Sequence, residues 1–362
     1  MPTISAPERV FVTGANGFLG CWIVHRLLEN GYSVRASVRT PEKARALTAL
    51  IAKRHPNVGS QTGESVSRFF ECVVVPDLTQ DDAYEHCLDG VAGIVHTATP
   101  VVFGLDDPAE YYKPAIQGTM NLLKTAAKHT TVKRIVLTSS IGAMANAANE
   151  PKETYVGTED DWNDYGVETV AKIGKAAPAA WKFYKDNKEE LPYELIVIAP
   201  GWIFGPLPGD QASPEESTGS AELQWQNLFA TPAPSPPYPA VFNYVDVRDA
   251  ADLHIRALEV EEAAGERFAA CSEVCTWQDW YDAAGDMKVD RGLSKLHPPR
   301  PQQDPGRAGI RDDFRDLPPH YIFRGDKARN KLGFAFRGVP ETIQDVVRDF
   351  KKRGWLRHLE VD

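Results

Sequence analysis

Three glycines near the start of the chain, Gly14, Gly17 and Gly20 in the run 10-VFVTGANGFLG-20, sit between an apolar stretch and an amphipathic one. Glycine suits such a turn for three separate reasons. It lets the chain reverse tightly, lets a pyrophosphate approach the backbone, and lets helix and strand pack closely. The phosphates then meet unpaired N–H groups at the positive end of the following helix. Gly14, Asn16, Gly17, Phe18 and Leu19 are the candidate residues for holding a dinucleotide. A turn whose glycines are purely structural is the alternative.

The residues about twenty positions further on select among dinucleotides. An acid at the end of the second strand would take the ribose hydroxyls of NAD(H). The chain instead reads 36-ASVRTPEK-43, with Arg39 at the strand end and Lys43 about one helical turn later. Two cations suit a 2′-phosphate, which favours NADP(H). The alternative is that both are ordinary surface charges.

These residues need a frame of strands and helices. Apolar runs predict strands at 10–12, 32–38, 69–75, 93–98, 132–138 and 195–199. Helices are expected at 18–28, at 114–128 with Pro114 in its first turn, and at 168–188. In the first of them Leu19, Ile23, Val24 and Leu27 form one stripe, and Gly31 stops it. Strands that are apolar throughout and alternate with helices imply a parallel sheet covered on both faces. Right-handed crossovers make it a doubly wound α/β sheet of Rossmann type.

After residue 205 the composition changes. Proline and serine crowd 206–217 and 231–240, and a further proline-rich stretch covers 298–307. These read as loops over a smaller, irregular lobe. Between them, in 243-NYVDVRDAADLHIRALE-259, Asp246 opens a capping pattern before an amphipathic helix that returns to the sheet. The expected division is a cofactor-binding domain at 1–205, joined by 243–260, with 206–242 and 261–362 forming mainly a substrate-binding lobe.

With 362 residues, 43% of them hydrophobic, there is material for one large α/β unit or two domains. The net charge of -10 comes without a basic stripe, so nucleic acid and anionic membranes are poor partners. No signal-peptide pattern and no run of 18 apolar residues occurs, and five scattered cysteines fit reduced thiols, so a cytoplasmic location is expected. Cys271 and Cys275 could share a helix face, but no cluster completes a metal site. Monomer and homodimer are both compatible with the apolar helix faces. Trp202, Phe204, Trp225 and Phe229 either shape an aromatic substrate pocket or pack in the core.

Several stretches together resemble the extended short-chain dehydrogenase/reductases, in the branch of dihydroflavonol, cinnamoyl-CoA and microbial aldehyde or ketone reductases. They are 13-TGANGFLG-20, 74-VVPDLTQ-80, 95-VHTATP-100, 117-QGTMNLL-123, 134-RIVLTSS-140, 179-AAWKF-183, 199-APGWIFGP-206 and 243-NYVDVRDAADLHIRALE-259. The resemblance implies that Asp77 and Leu78 flank the adenine, that Thr97, Ala98 and Thr99 lie along the cofactor near the nicotinamide ribose, and that Pro200 and Ile203 border the nicotinamide. It implies that Ser140 hydrogen-bonds the carbonyl of a small-molecule substrate.

One expectation of that family is not met. A helix should carry Tyr-x-x-x-Lys, the lysine eight residues before the tryptophan of an AAW run. The tyrosine exchanges the proton at the carbonyl oxygen, and the lysine one turn away lowers its pKa. Counting back from Trp181 puts Ile173 at the lysine position and Thr169 at the tyrosine position. A register shifted by one residue would offer Glu168 and Lys172 instead, and Tyr165 lies one turn ahead of Thr169. The cofactor site therefore reads as intact and the proton-transfer pair as lost or replaced. Three functions remain open: a reductase with a different proton donor, an isomerase, cyclase or lyase with NADP(H) as spectator, and a non-catalytic NADPH-binding protein.

Overall fold

Val10 and Val12 belong to one apolar cluster and Phe11 to another, and all three are wholly buried. A strand buried on both faces has to lie inside a helix-covered sheet. The computed structural model describes residues 3–56, 68–98, 109–145, 153–163, 176–230, 241–285 and 320–356. Its first half runs β1 (Arg9–Thr13), α1 (Phe18–Glu29), β2 (Ser33–Val38), α2 (Pro41–Arg54), β3 (Phe70–Val74), β4 (Val91–His96), α3 (Ala109–Ala126) and β5 (Arg134–Thr138). Then come β6 (Tyr155–Gly157), α4 (Ala176–Asn187), β7 (Glu194–Pro200), β8 (Trp202–Phe204), α5 (Ser220–Leu228), β9 (Val241–Asp246) and α6 (Val247–Glu259). The chain ends with β10 (Arg267–Ala270), β11 (Glu273–Thr276), α7 (Trp277–Gly285), β12 (Tyr321–Phe323), α8 (Asp326–Leu332) and α9 (Val339–Lys352).

Seven strands form one parallel sheet in the order β10-β7-β5-β4-β1-β2-β3. Chain order reverses between β1 and β4, and such a switch point opens a crevice at the carboxyl ends of the strands. Val136, Ile196 and Ile198 join Val10 and Val12 on the face covered by α1 and α6. Ile135, Leu137, Leu195 and Val197 join Phe11 on the face covered by α3 and α4, against Leu122, Leu123, Ala180 and Trp181. Each large apolar side chain so buried contributes about 1.5–3 kcal/mol.

The six expected strands are present within a few residues of their predicted places. β10 is a seventh that the sequence pattern did not suggest, as it is only four residues, RFAA, at the sheet edge. The helix expected to open at Pro114 begins at Ala109 and passes through the proline. Proline at that point deprives only the Glu110 carbonyl of its helical donor, a cost the apolar face of α3 outweighs. Cys271 and Cys275 do not share a helix face. Cys271 follows β10 and Cys275 lies in β11, because the chain there is extended. None of the five cysteines forms a disulfide, and no group of three potential metal ligands occurs among the described residues. No described helix is long and apolar enough to cross a membrane.

Beside the large sheet lie a three-stranded sheet, β11-β9-β8, and the pair β12-β6. Phe204, Phe229, Trp277, Trp280 and Phe350 fill a separate core there. Asp246 caps α6 by accepting from the Arg248 N–H at 2.8 Å. It also accepts from Arg248 Nη2 at 2.7 Å and Thr342 Oγ1 at 2.7 Å, while Arg248 Nη1 reaches Asp345 Oδ2 at 2.6 Å. A fully buried carboxylate needs such complete pairing. The arrangement ties α9 to α6.

Candidate active site

β1 runs into Gly14, whose φ of 65° reverses the chain. A Cβ on Gly14 would lie 2.9 Å from Thr97 Oγ1, and one on Gly20 would lie 2.3 Å from the Gly14 carbonyl oxygen. Both glycines are therefore required by the fold itself. Gly17 differs: a Cβ there would meet only the Gly14 oxygen, at 3.2 Å. The first intrahelical bond of α1 is Cys21 N–H to Gly17 O at 2.9 Å, so the N–H groups of Phe18, Leu19 and Gly20 precede it and remain available to an anion.

The next strand end is locked to this turn. Thr13 Oγ1 accepts the N–H groups of Thr97 at 3.1 Å and Ala98 at 3.2 Å, and Thr97 Oγ1 donates to Thr13 O at 2.6 Å. With both lone pairs engaged, the Thr13 hydroxyl proton goes to His96 Nδ1, 2.8 Å away. The other ring nitrogen of His96 then donates to Thr119 Oγ1 at 3.2 Å. Burial pushes His96 down to about 4, so the ring is neutral at neutral pH. Sequence reasoning missed Thr13 and His96. Their signal was a polar pair at the ends of two adjacent apolar strands.

At the end of β5, Ser140 starts a single turn of 3₁₀ helix, Ile141–Ala143, and its Oγ accepts the Gly142 N–H at 3.1 Å. His254 Nδ1 donates to Ala250 O at 2.6 Å, so its Nε2 accepts from Thr138 Oγ1 at 2.8 Å. Burial holds this ring at about 4 as well. A cleft of about 590 Å³ opens over these strand ends. It is lined by Gly14, Gly17, Phe18, Leu19, Thr97, Ser140, Pro200 and Ile203 from the expected set, together with Ile141, Gly142, Trp202 and Thr218. Among the described lining residues there is no Asp, Glu, Lys, Arg or His. Trp202 faces the cleft, while Phe204 and Phe229 are fully buried in the smaller core. Trp225 packs against Phe229 and Phe350.

A neighbouring cleft of about 680 Å³ shares Gly17, Phe18 and Thr218 with the first and adds Asn16 and Lys43. Arg39 and Lys43 are exposed, and neither side chain is held in an ion pair among the described residues. Asp77 accepts from Gln80 Nε2 at 2.9 Å, Thr79 Oγ1 at 2.7 Å and Thr79 N–H at 2.9 Å. These bonds, with a smaller contribution from the Arg39 charge, pull its carboxyl down to about 2. α3 supports this turn: Asn121 Nδ2 donates to Leu78 O and Gln80 O, Gln117 Nε2 to Thr79 O, and Gly118 leaves room for Leu78. Arg39, Asp77, Leu78 and Ala98 line neither cleft.

The segment from Pro206 to Thr218 lines the second cleft, reaches the first at Thr218, and is gripped by its backbone. Trp22 Nε1 donates to Pro206 O, His25 Nε2 to Pro208 O, and Arg54 to Gly209 O. Arg353 donates to the carbonyls of Leu207, Gly209 and Gln211, and Trp355 to that of Ala212. Tyr165, Glu168, Thr169, Lys172 and Ile173 all lie outside the described residues, as does Thr99.

Residues 10–173 match the NAD dependent epimerase/dehydratase family. An NADPH-dependent methylglyoxal reductase of Saccharomyces cerevisiae is 30% identical, covering 95% of this chain and 98% of its own length. A cinnamoyl-CoA reductase of Medicago truncatula is also 30% identical, covering 95% of this chain and 96% of its own. The crystal structure of the yeast methylglyoxal/isovaleraldehyde reductase complexed with NADPH superposes with a TM-score of 0.79 at 29% identity, covering 96% of this chain and 100% of that one. The chain belongs to the NAD dependent epimerase/dehydratase family, the extended short-chain dehydrogenase/reductases.

Proposed function

We propose that the chain is an NADPH-dependent reductase of a small organic carbonyl or imine, with Ser140 holding the electrophile and a non-standard group returning the proton. The observation that carries this reading is the single cleft lined by both the glycine turn and Ser140. The residues present fit the cofactor. Gly17 is free of any strict packing need for glycine, which leaves its open side for a close-approaching ligand. The N–H groups of Phe18 and Leu19 suit the pyrophosphate, and Asn16 stands beside them. Arg39 and Lys43 suit the 2′-phosphate, and the Asp77–Leu78 turn the adenine. Thr97, Ala98 and Thr99 would follow the ribose, with Pro200 and Ile203 against the nicotinamide.

NADPH, when bound, supplies a hydride; the carbonyl oxygen then needs a proton. Ser140 Oγ already accepts from Gly142 N–H, so its own O–H is available to donate a hydrogen bond to that oxygen. Neither nearby histidine can serve as the acid, since both are buried and neutral. The proton therefore comes from Tyr165, Glu168, Thr169, Lys172 or a water, or it arrives with an already protonated iminium substrate. A general acid is worth about 10²–10⁴ in rate, so a ketone would demand one and an iminium would not. The reductase activities named for the relatives support a redox reading over a spectator role for the cofactor.

The test is a titration with NADPH, NADH and NADP⁺, followed by NADPH oxidation with a panel of aldehydes, ketones and cyclic iminium ions. Binding of NADPH and turnover of at least one substrate are expected. Failure to bind any nicotinamide would end the reading. Full turnover by each of the four single variants at 165, 168, 169 and 172 would remove the residue-borne donor.

A further inference from the structure

Residues 158–163 run from β6 to the turn that carries Ser140. The Asn163 backbone N–H donates to Ala143 O at 2.9 Å, and its Nδ2 donates to Gly142 O at 3.0 Å. One residue therefore grips two successive carbonyls of the Ile141–Ala143 turn. The amide orientation follows from this contact, because the flipped form would set its oxygen against the Gly142 oxygen. Behind Asn163 the segment is anchored to the edge strand β10. The Arg267 guanidinium lies 3.4 Å from the centre of the Trp162 ring, and Arg267 Nη2 donates to Asp161 O at 3.0 Å. Glu159 Oε1 accepts the Ala269 N–H at 3.1 Å.

We infer that Asn163 is a positioning residue that fixes the Ser140 hydroxyl through the Gly142 carbonyl. The inference rests on the reading of Ser140 as the group that meets the substrate. Gly142 has no side chain to restrict its backbone. Its N–H is the donor that sets the Ser140 Oγ, and its C=O is the acceptor that Asn163 holds. The peptide plane of that N–H is also held at Ile141 O, which accepts from the N–H groups of Met144 and Ala145. Losing the grip therefore frees the following plane, and the flexible glycine passes the shift on to the bond that leaves the serine proton aimed at the cleft. Asn163 itself does not line the cleft, so it acts only through the turn.

The experiment is a double-mutant cycle. Asn163→Ala, and separately the near-isosteric Asn163→Asp, are made in the parent and in Ser140→Ala. For each variant, kcat and KM are measured on the fastest substrate of the panel, together with the Kd for NADPH. The expected result is a fall in kcat of about ten- to a hundredfold in the parent, from misplacement of one polar group. The NADPH Kd should stay within about twofold, and the loss should shrink to about threefold or less in the Ser140→Ala background, as coupled residues require. Losses that multiply in full, an unchanged kcat, or an equal loss of NADPH affinity would each overturn the inference. If Asn163→Ala does not fold, Asn163→Asp carries the cycle. A parent protein that neither binds NADPH nor turns over any substrate would instead overturn the reductase reading, and this inference with it.

Discussion

Replacing Gly17 and Gly20 by alanine, one at a time, separates what the fold needs from what a ligand needs. At Gly20 the new methyl would sit 2.3 Å from the Gly14 oxygen, 2.9 Å from its carbonyl carbon and 3.0 Å from Thr97 Oγ1. Two of those atoms are backbone inside a turn that already has positive φ, so they cannot step aside cheaply. Overpacking of this kind costs about 1–3 kcal/mol, partly offset by about 1 kcal/mol from the better helix propensity of alanine. Gly17→Ala meets one oxygen at 3.2 Å, and its φ of -77° with ψ of 171° is open to any residue. At the N-cap of α1, where alanine caps less well than glycine, the substitution should cost only about 0.5–1 kcal/mol. The methyl would, however, project where Gly17 borders both clefts. A tenfold to hundredfold loss of NADPH affinity, about 1.4–2.8 kcal/mol, is expected from holding the pyrophosphate away. Urea denaturation and calorimetric titration on the two variants and the parent provide the measurements. The reasoning is refuted if Gly17→Ala binds NADPH as well as the parent, or if it is destabilised as much as Gly20→Ala.

Thr13→Val keeps the shape but removes the acceptor for two N–H groups and the partner of His96. It should cost about 2–4 kcal/mol in urea unfolding, with Thr13→Ser recovering most of it. Arg39→Ser and Lys43→Ala should each weaken NADPH about tenfold or more and leave NADH within about twofold; equal loss of both would assign these cations no role at a 2′-phosphate. Stability should fall as pH drops from about 6.5 towards 4, because His25, His96 and His254 are all pushed down to about 4 by burial. In that window the unfolded chain binds the extra protons, worth up to about 1.4 kcal/mol per pH unit for each histidine. Asp249, raised to about 6 by burial, binds its proton earlier in the folded state and offsets part of this. A flat or rising stability between pH 6.5 and 5 in chemical denaturation would contradict those assignments.

The parts of the site that sequence reasoning reached are the local ones. The glycine turn, the strand ends at Thr97 and Ser140 and the cap at Asp246 each follow from a few consecutive residues. What it missed depends on contacts far along the chain. Thr13 and His96 are separated by 83 positions, and Asn243 holds β12 by accepting from Phe323, 80 positions on. β10 is too short to announce itself, and it belongs to the sheet only through its pairing with β7. Trp202 and Phe204, two apart on β8, share one face and stack with ring centres 6.3 Å apart, yet Trp202 reaches the cleft while Phe204 is buried in the core, a difference in depth that no composition argument makes. The helix through Pro114 shows the opposite failing, a local rule outweighed by the apolar face of α3.

The Pro206–Thr218 segment has a bearing on how such a protein can change. Its hold on the rest of the molecule runs through main-chain oxygens, gripped by Trp22, His25, Arg54, Arg353 and Trp355. Of its side chains, Asp210 takes part in the fastening, paired to Lys53 at 2.7 Å, and Leu207 is buried in the smaller core. Most of its residues can therefore drift in identity while the path of the chain stays put. Selection, natural or in the laboratory, has here a stretch bordering both clefts whose chemistry can be rewritten without renegotiating the fold. A library varying Gln211 and Thr218 while keeping Leu207, Arg353 and Trp355 would explore new ligands from a fixed platform.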